Sequence, residues 1–126
     1  MKLVFGGAYQ GKLEYVLERF SLGEDDVYRC DAGCLEFPLG KRVVYGFEQW
    51  LYALTVAGAD VNVKLKEFCE KLTDEIIITA DNSCGVVPVD KTVRQWREAA
   101  GRSVSVLAKQ ADEVTRVFFG IATRLK

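Results

Sequence analysis

Ile76-Ile77-Ile78 sets three β-branched residues side by side. Such a run suits an extended strand, where neighbouring side chains point to opposite faces. With apolar groups on both faces, the strand has to be covered on both sides. That is the situation of an inner strand of a parallel sheet flanked by helices. Lys2-Leu3-Val4-Phe5 is a second short buried run, closed by the turn-forming Gly6-Gly7.

The segments between and after these runs alternate in period. Leu13, Val16, Leu17 and Phe20 are spaced as on a helix that runs toward Gly23. Residues 26–31 and 42–47 read as short strands, with a loop between them that carries Gly33, Pro38 and Gly40. Phe47, Trp50, Leu51 and Leu54 predict one helix, and Val61, Leu65, Phe68 and Leu72 another. The longest helical stripe carries Val93, Trp96, Ala100, Val104, Leu107 and Ala111; residues 114–119 follow as a strand, and 121–125 as a further one. Strands alternating with helices predict an α/β fold with a mainly parallel sheet. No repeat or linker divides the 126 residues, so residues 1–126 are expected to form a single domain.

Composition removes whole classes of function. The chain has no histidine, which excludes Ser–His–Asp and Cys–His catalysis and histidine metal sites. Lys+Arg 17 against Asp+Glu 18 gives a net charge of −1. No basic excess is present for a nucleic-acid backbone or an anionic membrane surface, so neither is expected as a partner. No apolar run reaches the length of a membrane span, and no signal peptide is read at the start. A cytoplasmic location is expected, with Cys30, Cys34, Cys69 and Cys84 as free thiols.

One motif carries chemistry. Gly6-Gly7-Ala8-Tyr9-Gln10-Gly11-Lys12-Leu13 fits G-x-x-x-x-G-K and departs at the final position, where Ser or Thr is expected. It lies between a strand and a helix. A loop of this kind turns successive backbone N–H groups toward phosphate oxygens, the helix N-terminus adds its positive end, and the lysine reaches the phosphates. Leu13 lacks the hydroxyl that would hold Mg²⁺. The alternative is an ordinary strand-to-helix turn with a solvated Lys12.

The loop resembles that of the adenosylcobinamide kinase / adenosylcobinamide-phosphate guanylyltransferase family of cobalamin biosynthesis. Further on, Asp81-Asn82-Ser83-Cys84-Gly85-Val86-Val87-Pro88 resembles that family's Asn-Glu-x-Gly-x-Gly-x-Val-Pro segment. Arg94-Gln95-Trp96-Arg97-Glu98-Ala99-Ala100-Gly101-Arg102 resembles its Arg-x-Phe-Arg-Asp-x-x-Gly-Arg helix start. Ala111-Asp112-Glu113-Val114 and the closing Gly120-Ile121-Ala122-Thr123-Arg124-Leu125-Lys126 are similar to its corresponding motifs. The likeness is close from about residue 73 onward, weaker over 1–31, and poor between.

The resemblance implies a fold like that of P-loop nucleotide hydrolases, binding of a purine nucleotide (ATP or GTP) and a homo-oligomer. It also implies two activities: kinase action on a corrinoid, and guanylyl transfer through a histidine. This chain is shorter where the family carries its histidine-bearing helix, and without histidine that second activity cannot follow the family mechanism. Gly6, Gly7, Ala8, Tyr9, Gln10, Gly11, Lys12 and Leu13 are the candidate nucleotide-binding residues, and Lys12 and Asp81 the candidate catalytic ones. Asp31, Glu48 and Asp81 are candidates for Mg²⁺ or its waters. Each of the three is equally a loop carboxylate or helix cap by type. Two readings of function follow. One is a nucleotide-binding, kinase-type phosphotransferase. The other is a non-catalytic scaffold or regulatory paralogue with a vestigial loop.

Overall fold

The computed structural model describes residues 1–7, 11–80 and 90–126. Among the described residues, six strands form one sheet: β1 (Lys2–Gly6), β2 (Val27–Arg29), β3 (Val43–Tyr45), β4 (Ile76–Ala80), β5 (Glu113–Phe118) and β6 (Ile121–Arg124). Four α-helices accompany them there: α1 (Lys12–Arg19), α2 (Phe47–Val56), α3 (Val61–Glu70) and α4 (Lys91–Gln110). The strand order is β2-β3-β4-β1-β5-β6. The first five strands are parallel and β6 runs antiparallel to β5 along the edge. This is the mainly parallel α/β fold expected.

The isoleucine run explains how the layers are built. Ile77 pairs in register with Leu3 and Val44, and these face Phe47, Trp50, Leu51, Leu54, Phe68, Ala100 and Leu107 from α2, α3 and α4. Ile76 and Ile78 point the other way, with Val4, Val43 and Val117, toward Leu13 and Val16 of α1. Burying each such aliphatic or aromatic side chain stabilises the fold by roughly 1.5–3 kcal/mol. One sheet face thus carries three helices, and the other carries α1.

Several boundaries shift by a residue or two from the sequence expectation (the strand expected over 26–31 spans only Val27–Arg29), and two of the shifts have a clear cause. The first helix stops at Arg19 because Ser21 takes a left-handed conformation (φ 54) and the Leu22 N–H returns to the Leu17 carbonyl, closing the helix end. The strand expected over 42–47 ends at Tyr45, since Gly46 (φ 74) turns the chain and Phe47 already begins α2. The segment from 32 to 41 has the expected lack of regular structure, which extends to residues 30, 31 and 42, yet it is packed: the Phe37 ring lies 5.5 Å from that of Trp50. Trp50 in turn is 5.5 Å from Phe47 and 5.4 Å from Phe68.

Candidate functional site

The topology opens a crevice at one place. β1 leaves the sheet through α1 on one face, and its neighbour β4 leads to α4 on the other. The carboxyl ends of these two strands therefore diverge, which is where open α/β sheets bind ligands. A cleft of about 440 Å³ lies there, lined by Lys12, Tyr45, Glu48, Thr79, Ala80 and Trp96, among others.

Two helices that start at this edge, α1 and α2, begin without side-chain caps. Gly11 (φ 81) precedes α1 and Gly46 (φ 74) precedes α2, and at neither does a side chain accept a bond from the first-turn N–H groups among the described residues. The left-handed backbone at both positions is one that glycine adopts without steric cost. By contrast, α3 and α4 are capped by Asp60 and Asp90, whose carboxylates accept from Val63 N (3.2 Å) and Val93 N (3.0 Å).

Lys12 is not the solvated first-turn lysine of the alternative reading: its residue is 7% exposed. Its Nζ donates to the Gly7 carbonyl at 2.6 Å, across the two ends of the loop. Burial lowers its pKa below the usual lysine value, while the Glu48 and Glu14 carboxylates pull it back upward. Leu13 is buried in the α1 face against the sheet, so the position of the missing hydroxyl belongs to the core.

Glu48 is held firmly at the cleft. Its Oε2 accepts from the backbone N–H of Ala80 (3.1 Å) and from Thr79 Oγ1 (3.3 Å). Its carbonyl accepts from Trp96 Nε1 at 2.8 Å, which ties α4 to the start of α2, and Trp96 meets the Tyr52 ring edge-on at 5.1 Å. Cys30 lines the same cleft, its thiol pushed up to about 12 by burial first and by Glu48 and Cys34 after it. Asp31 does not line this cleft: it is exposed, and its Oδ1 accepts from Gly33 N at 2.7 Å in a local turn. Asp81, Ala8, Tyr9 and Gln10 lie outside the described residues. Of the sequence candidates, the structure brings Lys12 and Glu48 together with the glycines of the loop ends, and sets Asp31 apart. Among the described residues, no cluster of three metal-ligating side chains occurs.

A second cleft of about 630 Å³ lies on the α1 side of the loop, lined by Gly11, Lys12, Leu13, Tyr15, Arg19, Tyr45 and Gly120 in part. Tyr45 and Gly120 were not singled out from the sequence. Tyr45 is at the carboxyl end of a strand, the position from which it faces both clefts. Gly120 arrives only through the pairing of β5 with β1, which no local pattern announces.

The cobinamide kinase / cobinamide phosphate guanyltransferase family matches residues 46–125. The chain belongs to that family. The match runs from the residue before α2 through β6 and so takes in Glu48 and Trp96, reaching back well beyond residue 73. A curated relative, the bifunctional adenosylcobalamin biosynthesis protein CobU of Salmonella typhimurium, is 33% identical over 81 residues. Those residues are 63% of this chain and 45% of the relative, so the cobinamide kinase / guanyltransferase likeness spans less than half of that protein. No helix among the described residues is long and apolar enough to cross a membrane.

Proposed function

We propose that the chain binds a purine nucleotide, ATP or GTP, with its phosphates on the Gly6–Lys12 loop, as one domain of residues 1–126. The observation that carries this reading is the buried Lys12, whose ammonium donates to the Gly7 carbonyl and lines the same cleft as the Glu48 carboxylate. Holding a cation in a partly desolvated cleft costs stability, which an arriving polyphosphate offsets. The glycine-initiated α1 adds first-turn N–H groups with no side-chain acceptor.

A Mg²⁺ ion on the nucleotide needs one or two protein carboxylates besides the phosphate oxygens. Glu48 lines the cleft and fits that part, since one of its carboxylate oxygens is engaged by Ala80 N and Thr79 Oγ1 while the carboxylate keeps further lone pairs. Asp81 is a second candidate by sequence. Held there, such an ion would supply charge neutralisation for phosphoryl transfer to an acceptor, here a corrinoid on the family's chemistry.

The buried Leu13 favours a second reading, binding without transfer in a scaffold or regulatory role. An assay with γ-labelled ATP or GTP, Mg²⁺ and cobinamide separates the two. Labelled corrinoid supports the kinase, and nucleotide bound without turnover supports the scaffold. No nucleotide bound by the folded protein contradicts the shared claim.

A further inference from the structure

The β5–β6 hairpin sets its turn, which carries an aromatic pair, beside Gly11 at the start of α1. Phe118 pairs with Ile121, which leaves Phe119 and Gly120 as the turn, with φ of 51 and 73. Both are left-handed, the requirement of the tight mirror-image hairpin turn in which Asn-Gly is the usual pair. A phenylalanine in the first position works against backbone preference. It is nevertheless 73% exposed, so no gain from core burial explains the choice. Residues kept against local preference cluster at ligand sites.

Register fixes where the turn sits. Phe5 of β1 pairs with Arg116 of β5, so the turn projects beyond the carboxyl end of the sheet, beside the loop that leaves β1. A Cβ built on Gly11 would stand 3.4 Å from Gly120 Cα, and Gly120 lines the cleft shared with Gly11 and Lys12. The Phe118 ring, half exposed, meets that of Phe119 edge-on at 4.4 Å. Glu48 lies on the β4 side of β1 and the aromatic turn on the β5 side, while Lys12 lines the clefts on both.

We infer that Phe119, supported by Phe118, is the stacking platform for the base of the nucleotide, an inference that rests on the nucleotide-binding reading above. A ligand that is anionic at one end and flat and aromatic at the other matches this separation across the loop. A π-face is common to all bases, so the platform supplies affinity without choosing between adenine and guanine.

The test uses Phe119→Asn, a residue the turn prefers, and Phe119→Trp, which keeps a stacking face. Calorimetric titrations with ATP, GTP and inorganic tripolyphosphate are read beside thermal melts. Phe119→Asn is expected to weaken both nucleotides about tenfold, to leave tripolyphosphate affinity unchanged and to melt no lower than wild type. Phe119→Trp is expected to bind nucleotides within about threefold of wild type. Undiminished nucleotide affinity in Phe119→Asn, or an equal loss for tripolyphosphate, overturns the platform and leaves the loop reading standing. Wild type that binds tripolyphosphate as tightly as ATP also overturns it. Wild type that binds none of the three overturns both readings.

Discussion

Glu48, on the first turn of α2, accepts the backbone N–H of Ala80 at the end of β4 at 3.1 Å. This bond joins the element after β3 to the neighbouring strand and fixes a carboxylate at the mouth of the cleft, near Lys12. Replacing Glu48 by Ala leaves the Ala80 N–H and the Thr79 hydroxyl without this acceptor, at a cost of roughly 1–3 kcal/mol. Glu48→Gln retains an acceptor oxygen, and a loss below about 1 kcal/mol is expected. Urea unfolding of the two variants checks the order, and equal stability for both would contradict the structural part of the role.

The close approach of β1 to β5 sets a second expectation. A Cβ on Gly6 would lie 2.1 Å from the carbonyl oxygen of Val117, a backbone atom that cannot swing away. Gly6→Ala therefore forces the two strands apart, and a loss near the upper end of the roughly 1–3 kcal/mol range for overpacking is expected. Gly23→Ala serves as the control: nothing lies within 4 Å of its Cβ position and its φ is −118, so its melting temperature should stay close to wild type. A Gly6→Ala protein as stable as the control would contradict the strand pairing.

Glu113 predicts an acid limb of the stability curve. Its buried carboxylate accepts from both terminal nitrogens of Arg19, at 2.9 Å for Nη2. The Arg19 hydrogen bonds hold its pKa below the usual glutamate value, with the Arg19 charge and more distant Arg124 assisting against burial. The unfolded chain then binds more protons than the folded one in the acid range. This contribution is fully present above the unfolded value of about 4.3 and is lost as pH falls through the folded value. Glu113→Gln is expected to flatten the fall in unfolding free energy between about pH 5 and pH 3. Parallel pH profiles for the two proteins would contradict the pairing.

Cys30 offers a chemical probe of the same cleft. With its thiol pushed up to about 12, it holds little thiolate at pH 8. Iodoacetamide should alkylate it far more slowly in the folded protein than in urea, as peptide mass spectrometry can follow. Since the Glu48 charge contributes to the shift, Glu48→Gln should make Cys30 more reactive. Cys30 reacting equally fast folded and unfolded would contradict its burial beside Glu48.

The central strands were legible because their chemistry is local. Ile76-Ile77-Ile78 needs apolar partners on both faces wherever it sits, and Leu3-Val4 does so in the same way. What depends on distant chain was not legible. Nothing near Lys12 in sequence announces its burial, which arises when Glu48 and the ends of β3 and β4 close the cleft around it. Glu48 was a candidate by type, but its anchoring by Ala80 N lies 32 residues along the chain. Asp31 was an equally good carboxylate by type, and its Asx turn to Gly33 uses it locally. Phe119-Gly120 lacks the Asn or Asp that marks such turns, so only the paired strands expose its placement beside Gly11.

The most direct measurement is calorimetric titration of wild type and folded Lys12→Ala with ATP and GTP, each with and without Mg²⁺. The account predicts micromolar binding of nucleotide to wild type and at least a tenfold loss in Lys12→Ala, equivalent to about 1.4 kcal/mol or more. No binding to folded wild type, or equal affinity in the variant, would contradict it.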